Sequence, residues 1–116
     1  MSRLEAEVRA KGLTVFARID HAAGAAGAGL SLGPTELLIF GNAKGGTPLM
    51  QALQTVGIDL PLKALVWQDA SGTTWLSYND PHWLAQRHGL DDATRAAIEA
   101  MSGALKAIAG KATTAP

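Results

Sequence analysis

Three polar residues stand together at the end of a strand-like segment: Arg18, Asp20 and His21. Residues 13–20 alternate in polarity as a strand does, so the side chains of Arg18 and Asp20 should share one face with Phe16. A carboxylate beside an imidazole fixes its tautomer and raises its pKa, which general acid–base catalysis requires. Asp20 and His21 are therefore candidate catalytic residues, and Arg18 and His21 are candidate anion ligands. The alternative is a structural Arg18–Asp20 ion pair, with His21 capping the next segment.

A glycine-rich stretch, residues 41–46, leads into a helix that we predict to begin with Thr47 as N-cap and Pro48 as first helical residue. Backbone N–H groups at such a helix start attract anions, and Lys44 would add a positive charge. The outer glycines have the spacing of a nucleotide-phosphate loop, but Thr47 stands where that motif needs lysine. The stretch thus predicts a weak carboxylate or phosphate site that includes Asn42 and Thr47, or simply a tight connection.

Lys63 completes the set of candidate ligands, since it could bind an anion or pair with Asp59 or Asp69. His82 and His88 are six positions apart, whereas metal-binding histidines on one helix face are four apart. We therefore predict no metal site and surface positions for both histidines.

Four large aromatic residues could either form the core or line a ligand pocket. Trp67 and Trp75 could make a cross-strand pair, and Tyr78 and Trp83 follow them closely. In a pocket these rings would stack on a flat ligand. We expect core packing, because the sequence has few other large side chains.

The helices and strands that must position these residues are predicted from the periodicity of the apolar residues and from capping and turn residues. The predicted helices are residues 2–11, 47–56, 81–88 and 91–109, and the predicted strands are 13–20, 35–40, 62–68 and 73–78. Residues 21–29, rich in alanine and glycine, form either a short helix or a flexible excursion. A turn at residues 69–72 makes the last two strands a hairpin. The order predicts an α+β fold, a four-stranded and largely antiparallel sheet with helices packed on one face.

Composition limits the possible functions. The 116 residues include ten basic and ten acidic side chains, 47% hydrophobic residues and no cysteine. Balanced charge argues against nucleic acid as a partner, and the missing cysteines exclude thiol chemistry. We also expect no membrane partner and no cofactor, and we predict a cytoplasmic location. Residues 1–109 are predicted as a single domain and residues 110–116 as a flexible tail.

Six short motifs follow one another in a fixed order: Arg18–His21, Leu38–Asn42, Gly46–Met50, Asp59–Lys63, Asp69 with Gly72, and Tyr78–Pro81. This ordered series resembles the family known as domain of unknown function 302, which comprises small bacterial proteins. The resemblance implies a TBP-like, helix-grip α+β fold that is commonly a homodimer, and it implies no activity. Members usually carry a strand before the first helix, which we expect to be absent here. An open sheet edge would then favour pairing with a second copy.

The leading functional hypothesis is a non-enzymatic, homodimeric domain that binds or senses a small anionic ligand between the sheet and the helices. The predicted ligand-binding residues are Arg18, His21, Asn42, Thr47 and Lys63. One alternative is an enzyme that uses Asp20 and His21 for proton transfer on a small anionic substrate. The other is a structural module whose function is dimerisation.

Overall fold

Four antiparallel strands form a single sheet in a computed structural model of the protein that describes residues 1–114. The strands are β1 (Thr14–Asp20), β2 (Thr35–Gly41), β3 (Leu62–Gln68) and β4 (Thr74–Tyr78), and they lie in the sheet in chain order. Every neighbouring pair is antiparallel. The predicted α+β class and antiparallel sheet are confirmed.

Within residues 1–114 the strands are accompanied by five α-helices and two short 3₁₀ helices. The α-helices are α1 (Ser2–Ala10), α2 (His21–Gly27), α3 (Ala43–Ala52), α4 (Pro81–His88) and α5 (Arg95–Thr113). The 3₁₀ helices span Gln54–Asp59 and Asp92–Thr94. The bond between Leu60 and Pro61 is a cis peptide. Among these helices none has the length and apolar character needed to cross a bilayer.

The core lies between one face of the sheet and the helices α1, α3 and α5. Leu38 and Phe40 of β2 are fully buried, and Leu49 of α3 packs with them. Each such side chain contributes about 1.5–3 kcal/mol when removed from water. The predicted stripe on the last helix is confirmed, with these side chains buried: Ile98, Met101, Leu105 and Ile108.

Helix α5 continues beyond the predicted domain end. Residues 110–113, which we predicted as part of a flexible tail, form its last turn. Ala112 packs against the core, and the hydroxyl of Thr113 donates to the carbonyl of Ala109 at 2.7 Å. Because the core reaches this far along the helix, the glycine at 110 does not end it. Residues 115–116 of the predicted tail lie outside the described residues.

A β-bulge in β1 changes the predicted face assignment. The register shifts between Val15, which pairs with Phe40, and Ala17, which pairs with Ile39. Phe16 is the extra residue, so Val15 rather than Phe16 shares the helix-covered face with Arg18. Simple alternation in the sequence cannot show this, since a bulge depends on the partner strand.

The opposite face of the sheet is mostly apolar and has none of the fully buried positions of the core. By register it presents three polar side chains, those of Thr35, Lys63 and Ser77. Its apolar side chains are those of Ala17, Ile19, Leu37, Ile39, Leu65, Trp67 and Trp75. We call this surface the open sheet face. Our prediction of core packing is confirmed for Tyr78, which packs against the core, and is wrong for the tryptophans. The register places Trp67 and Trp75 on the face away from the helices, and Trp83 is exposed on α4. The predicted Trp67–Trp75 pair does form, with ring centroids 6.4 Å apart.

Candidate functional site

Arg18 is held by acidic side chains other than the predicted one. Its Nε donates to Glu36 Oε2 at 2.7 Å, and its Nη1 lies 3.8 Å from Glu5 Oε1 on α1. The hydrogen bond to Glu36 raises the pKa of Arg18 above its ordinary value. The direct Arg18–Asp20 pair that we considered is therefore replaced by an Arg18–Glu36 pair on adjacent strands.

Asp20 acts as the N-cap of α2. Its Oδ1 accepts a hydrogen bond from the backbone N–H of Ala23 at 2.9 Å, and its backbone is extended. The Ala/Gly-rich segment is thus a helix, and Asp20 rather than His21 caps it. His21 is the exposed first residue of that helix. Within residues 1–114 the structure shows no hydrogen bond between the two side chains, so they do not form a preassembled acid–base pair.

Helix α3 begins five residues earlier than predicted. Asn42 is the N-cap, with its Oδ1 accepting from Gly45 N at 2.6 Å, and Thr47 and Pro48 lie inside the helix. Asn42 can cap because its backbone is extended, and the first turn of α3 that it opens lies against Met101 of α5. The predicted anion loop is therefore the first turn of a helix, and Thr47 is an exposed residue in it.

Lys63 and Arg18 lie on opposite faces of the sheet. Lys63 pairs with Ile39 and so faces the side away from the helices, whereas Arg18 pairs with the buried Leu38. The fold therefore does not bring the predicted ligand set together as one site. Asn42 alone among those residues lines the main cavity of the described structure.

That cavity, of about 630 Å³, lies between α3, the Gln54–Asp59 helix and α5, and we call it the α3–α5 cavity. Its α5 wall is formed by Ala96, Ala97, Ala100, Met101 and Ala104. The facing wall includes Asn42, Lys44, Gly45, Gly46, Pro48, Met50, Gly57 and Leu60, with Phe16 of the bulge at the side. Among these lining residues, all within the described chain, Lys44 is the one with a charge.

Small residues keep this space open. A Cβ at Gly45 would lie 3.1 Å from Asn42 Oδ1, and one at Gly57 would lie 3.2 Å from Met50 Sδ. Both distances are tight. Glycine at 45 leaves room for the Asn42 cap of α3, and glycine at 57 lets the 3₁₀ helix approach α3 closely. We missed the cavity from the sequence because its signal is small residues, the alanines of α5 and the glycines of α3, and not polar groups.

Two residues of α4 anchor the 3₁₀ helix that borders the cavity. His88 Nε2 lies 2.5 Å from Asp59 Oδ2, and Arg87 Nη1 donates to Asp59 Oδ1 at 3.0 Å. The His88 side chain is only 11% exposed, so our prediction of a surface position for it is wrong. Asp59 is thereby engaged with α4, and the pair with Lys63 that we considered is not formed.

His82 links α4 to α5 on the surface. Its Nδ1 lies 2.9 Å from Asp80 Oδ1, and its Nε2 lies 2.8 Å from Glu99 Oε1. The hydrogen bond to Glu99, followed by that to Asp80, raises the pKa of His82, and the bonds from His82 lower the pKa values of both carboxyls. Both ring nitrogens donate only in the imidazolium form, so the link is strongest when His82 is charged.

No group of three potential metal ligands occurs in the part of the chain that is described.

The carboxylate of Asp69 organises the β3–β4 turn. Its Oδ2 accepts from Trp75 Nε1 at 2.9 Å, and its Oδ1 accepts from the backbone N–H groups of Ser71 and Thr73. These bonds, that from Trp75 first, lower the pKa of Asp69 to about 2. The predicted hairpin is confirmed, and Asp69 has a structural role in it.

The sequence model of the family described as Domain of unknown function DUF302 matches residues 1–108. The chain belongs to the DUF302 family. A crystal structure described as an uncharacterized conserved DUF302 protein from Bacillus stearothermophilus matches this DUF302 chain with a TM-score of 0.84. The match covers 96% of this chain and 86% of that one, and at 21% sequence identity it establishes the fold alone.

Curated proteins similar to this DUF302 chain are named as fluoride-specific ion channels. It is 54% identical over 101 residues to fluoride-specific ion channel FluC 1 of Brucella suis biovar 1 (strain 1330), and the match covers 87% of this chain and 40% of that protein. The same identity relates it to FluC 1 of Brucella abortus biovar 1 (strain 9-941), with 37% of that protein covered. The DUF302 chain thus spans about two-fifths of the length of the curated relatives it matches.

Proposed function

We propose that this DUF302 chain is a ligand-binding domain whose site is the α3–α5 cavity. The observation on which this depends is the cavity itself, about 630 Å³ with an almost entirely apolar lining and an opening to solvent. Pockets that bind small organic molecules have volumes of about 300–1,000 Å³ and mostly apolar walls with few polar groups. A space of this kind suits reversible binding of a small organic molecule.

Binding is favoured over catalysis by the chemistry of the lining. The polar side chains that line the described cavity are those of Asn42 and Lys44, and the lining has no histidine, carboxylate or hydroxyl group. General acid–base chemistry needs such groups within hydrogen-bond reach of the reacting atoms. The alternative enzyme based on Asp20 and His21 has less support, because Asp20 is engaged in capping α2.

Octan-1-ol is a suitable neutral probe for the cavity, followed by amide NMR shifts of the full chain. Proposed binding predicts shift changes at Gly45, Gly57 and Ala100, and weaker binding by an Ala104→Leu variant that fills part of the space. An Ala109→Leu variant is the matched control, since that alanine is on the same helix outside the cavity lining. If octanol moves no cavity resonance, and native mass spectrometry of the purified protein finds no retained molecule, the proposal fails.

We further propose that two copies associate through the open sheet face. Trp75 on this face is 50% exposed and Ile19 is 39% exposed, and exposed apolar side chains gathered on one face of a small protein commonly mark an interface. Light scattering should give twice the 12.0 kDa chain mass. Ile19→Lys should shift it to the single-chain mass, whereas Ile58→Lys, at an exposed isoleucine of the 3₁₀ helix, should leave it unchanged. A wild-type monomer at micromolar concentration would contradict this proposal.

The names of the curated relatives suggest a second role, as a domain that accompanies fluoride transport. This is supported by the 54% identity over 101 residues to proteins named as fluoride-specific ion channels. Fluoride itself does not suit the α3–α5 cavity, because a small anion loses strong hydration there and gains few hydrogen-bond donors. We therefore expect sodium fluoride and sodium chloride to change the melting temperature equally. A stabilisation specific to fluoride would instead favour direct binding.

We also propose a cytoplasmic location, with which the cysteine-free sequence is compatible. Fractionation of bacteria that express the tagged full chain tests this. Recovery in the periplasmic fraction would contradict it.

A further inference from the structure

We infer that the ligand of the α3–α5 cavity is an amphipathic organic anion, with an apolar body in the cavity and a carboxylate head at Lys44. The inference rests on the proposed function, since it names the chemical class that the same cavity would bind. Two separate properties of the site lead to it: the apolar character of the lining and the sign of its one charged side chain.

The lining specifies the body of the ligand. Methyl groups of alanine form one wall, the side chains of Met50, Leu60 and Met101 contribute to the rest, and Phe16 adds an aromatic ring. None of these groups can donate or accept a strong hydrogen bond, so a polar body would lose its hydration without replacement. The volume of about 630 Å³ corresponds to that of about twenty water molecules. An alkyl chain of moderate length fits this space.

Lys44 specifies the head group. It is an exposed residue in the first turn of α3, it lines the cavity, and no ion pair joins it to another described residue. No carboxylate belongs to the described lining, so a cationic head would meet repulsion without compensation. Next to Lys44, the Oδ1 of Asn42 accepts from Gly45 N, which orients the amide so that its NH₂ group remains as a donor. An ammonium and an amide donor on two residues of the same lining complement a carboxylate.

Calorimetric titration with hexanoate, heptanoate and octanoate tests whether the apolar body of the ligand enters the cavity. Each methylene that enters the cavity should tighten binding about fourfold, the factor expected for one buried CH₂. Octan-1-ol and octylamine have the same chain length as octanoate, so comparing the three affinities tests the charge of the head group. Octanoate should bind several-fold more tightly than octylamine, with the alcohol between them.

Variants that change the charge at Lys44 test whether this residue causes the preference for a carboxylate head group. Lys44→Gln should weaken octanoate binding about two- to fivefold, the range for an exposed ion pair, and leave octanol binding unchanged. Lys44→Glu should reverse the order of octanoate and octylamine. Lys106→Gln is the matched control, because Lys106 is also exposed but lies outside the cavity lining.

The outcomes separate this inference from the proposed function. If alcohol, amine and carboxylate bind equally well, the cavity binds ligands but the anionic class is wrong. If octanoate binds best and Lys44→Glu leaves the order unchanged, the preference for an anion does not come from Lys44, and the inference is wrong. If chain length has no effect while octanoate still binds, the carboxylate binds elsewhere and the inference is wrong. If none of the three probes binds, the proposed function itself fails.

Discussion

Filling the α3–α5 cavity from α5 should stabilise the protein. Ala104 is half-buried and lines the cavity, so the side chain of an Ala104→Leu variant has space to enter. The substitution adds three carbons, each worth about 0.8 kcal/mol when fully buried, so about 2.4 kcal/mol is the upper limit. Because the cavity opens to solvent and leucine loses rotamer freedom, we expect a gain of about 1 kcal/mol.

Denaturant unfolding measures this gain directly, as a higher midpoint at unchanged slope. For a domain of this length the melting temperature should rise by about 3–5 °C. Ala109→Leu, on the same helix but outside the cavity lining, is the control and should give a smaller change. In the same variant octanol and octanoate should bind more weakly, because the leucine occupies part of their space.

The opposite result would refute the reasoning. Overpacking a filled region costs about 1–3 kcal/mol, so a loss of that size would mean that no usable space exists beside Ala104. A gain in stability with unchanged binding would mean that the probes bind somewhere else.

Three further predictions concern the groups that shape the fold. Asn42→Ala should cost about 1 kcal/mol in denaturant unfolding because it removes the cap of α3, whereas Thr47→Ala should be nearly neutral; equal effects would contradict the observed helix start. The raised pKa of His82 means that its link to α5 is fully formed below a pH of about 6.5 and is lost as pH rises through the higher folded-state pKa. The wild-type melting temperature should therefore fall across that window relative to His82→Gln, and parallel curves would show that the link contributes nothing. Asp69, with its pKa lowered from 3.8 to about 2, should stabilise the hairpin above pH 3.8 and lose that effect as pH falls toward 2. Asp69→Asn should flatten this acid limb of the melting curve, and an unchanged limb would assign it to other carboxyls.

Elements with strong local signals are predictable here from the sequence. The stripe of α5, the apolar run of β2 and the turn between β3 and β4 each occupy a short window, and all three occur as expected. The start of α3 is different, because both Asn42 and Thr47 are good caps in isolation. Asn42 is the cap in the structure because the additional first turn then contacts α5. Since α5 lies about fifty residues later in the chain, no local sequence signal shows this contact.

The candidate site was not predictable in the same way. The polar residues that we predicted as catalytic or ligand-binding candidates or as their partners have structural roles instead. Arg18 donates a hydrogen bond to Glu36, Asp20 caps α2, and Asp59 is hydrogen-bonded to His88. Each of these partners, apart from the local cap, lies on another element. A polar residue has the same sequence signal whether its partner is a ligand or a neighbouring strand, so the sequence alone could not separate the two roles.

The sequence by itself determined the fold class, the family and the absence of cysteine chemistry in these 116 residues. Periodicity and capping are local properties, and an ordered series of motifs over most of the chain is specific even where each motif is weak. Only the tertiary structure decided where ligand could bind, since the α3–α5 cavity has walls from segments about fifty residues apart, such as Gly45 and Ala97. A cavity is defined by side chains that are too small to fill the space between elements, and that space exists only after the helices have packed.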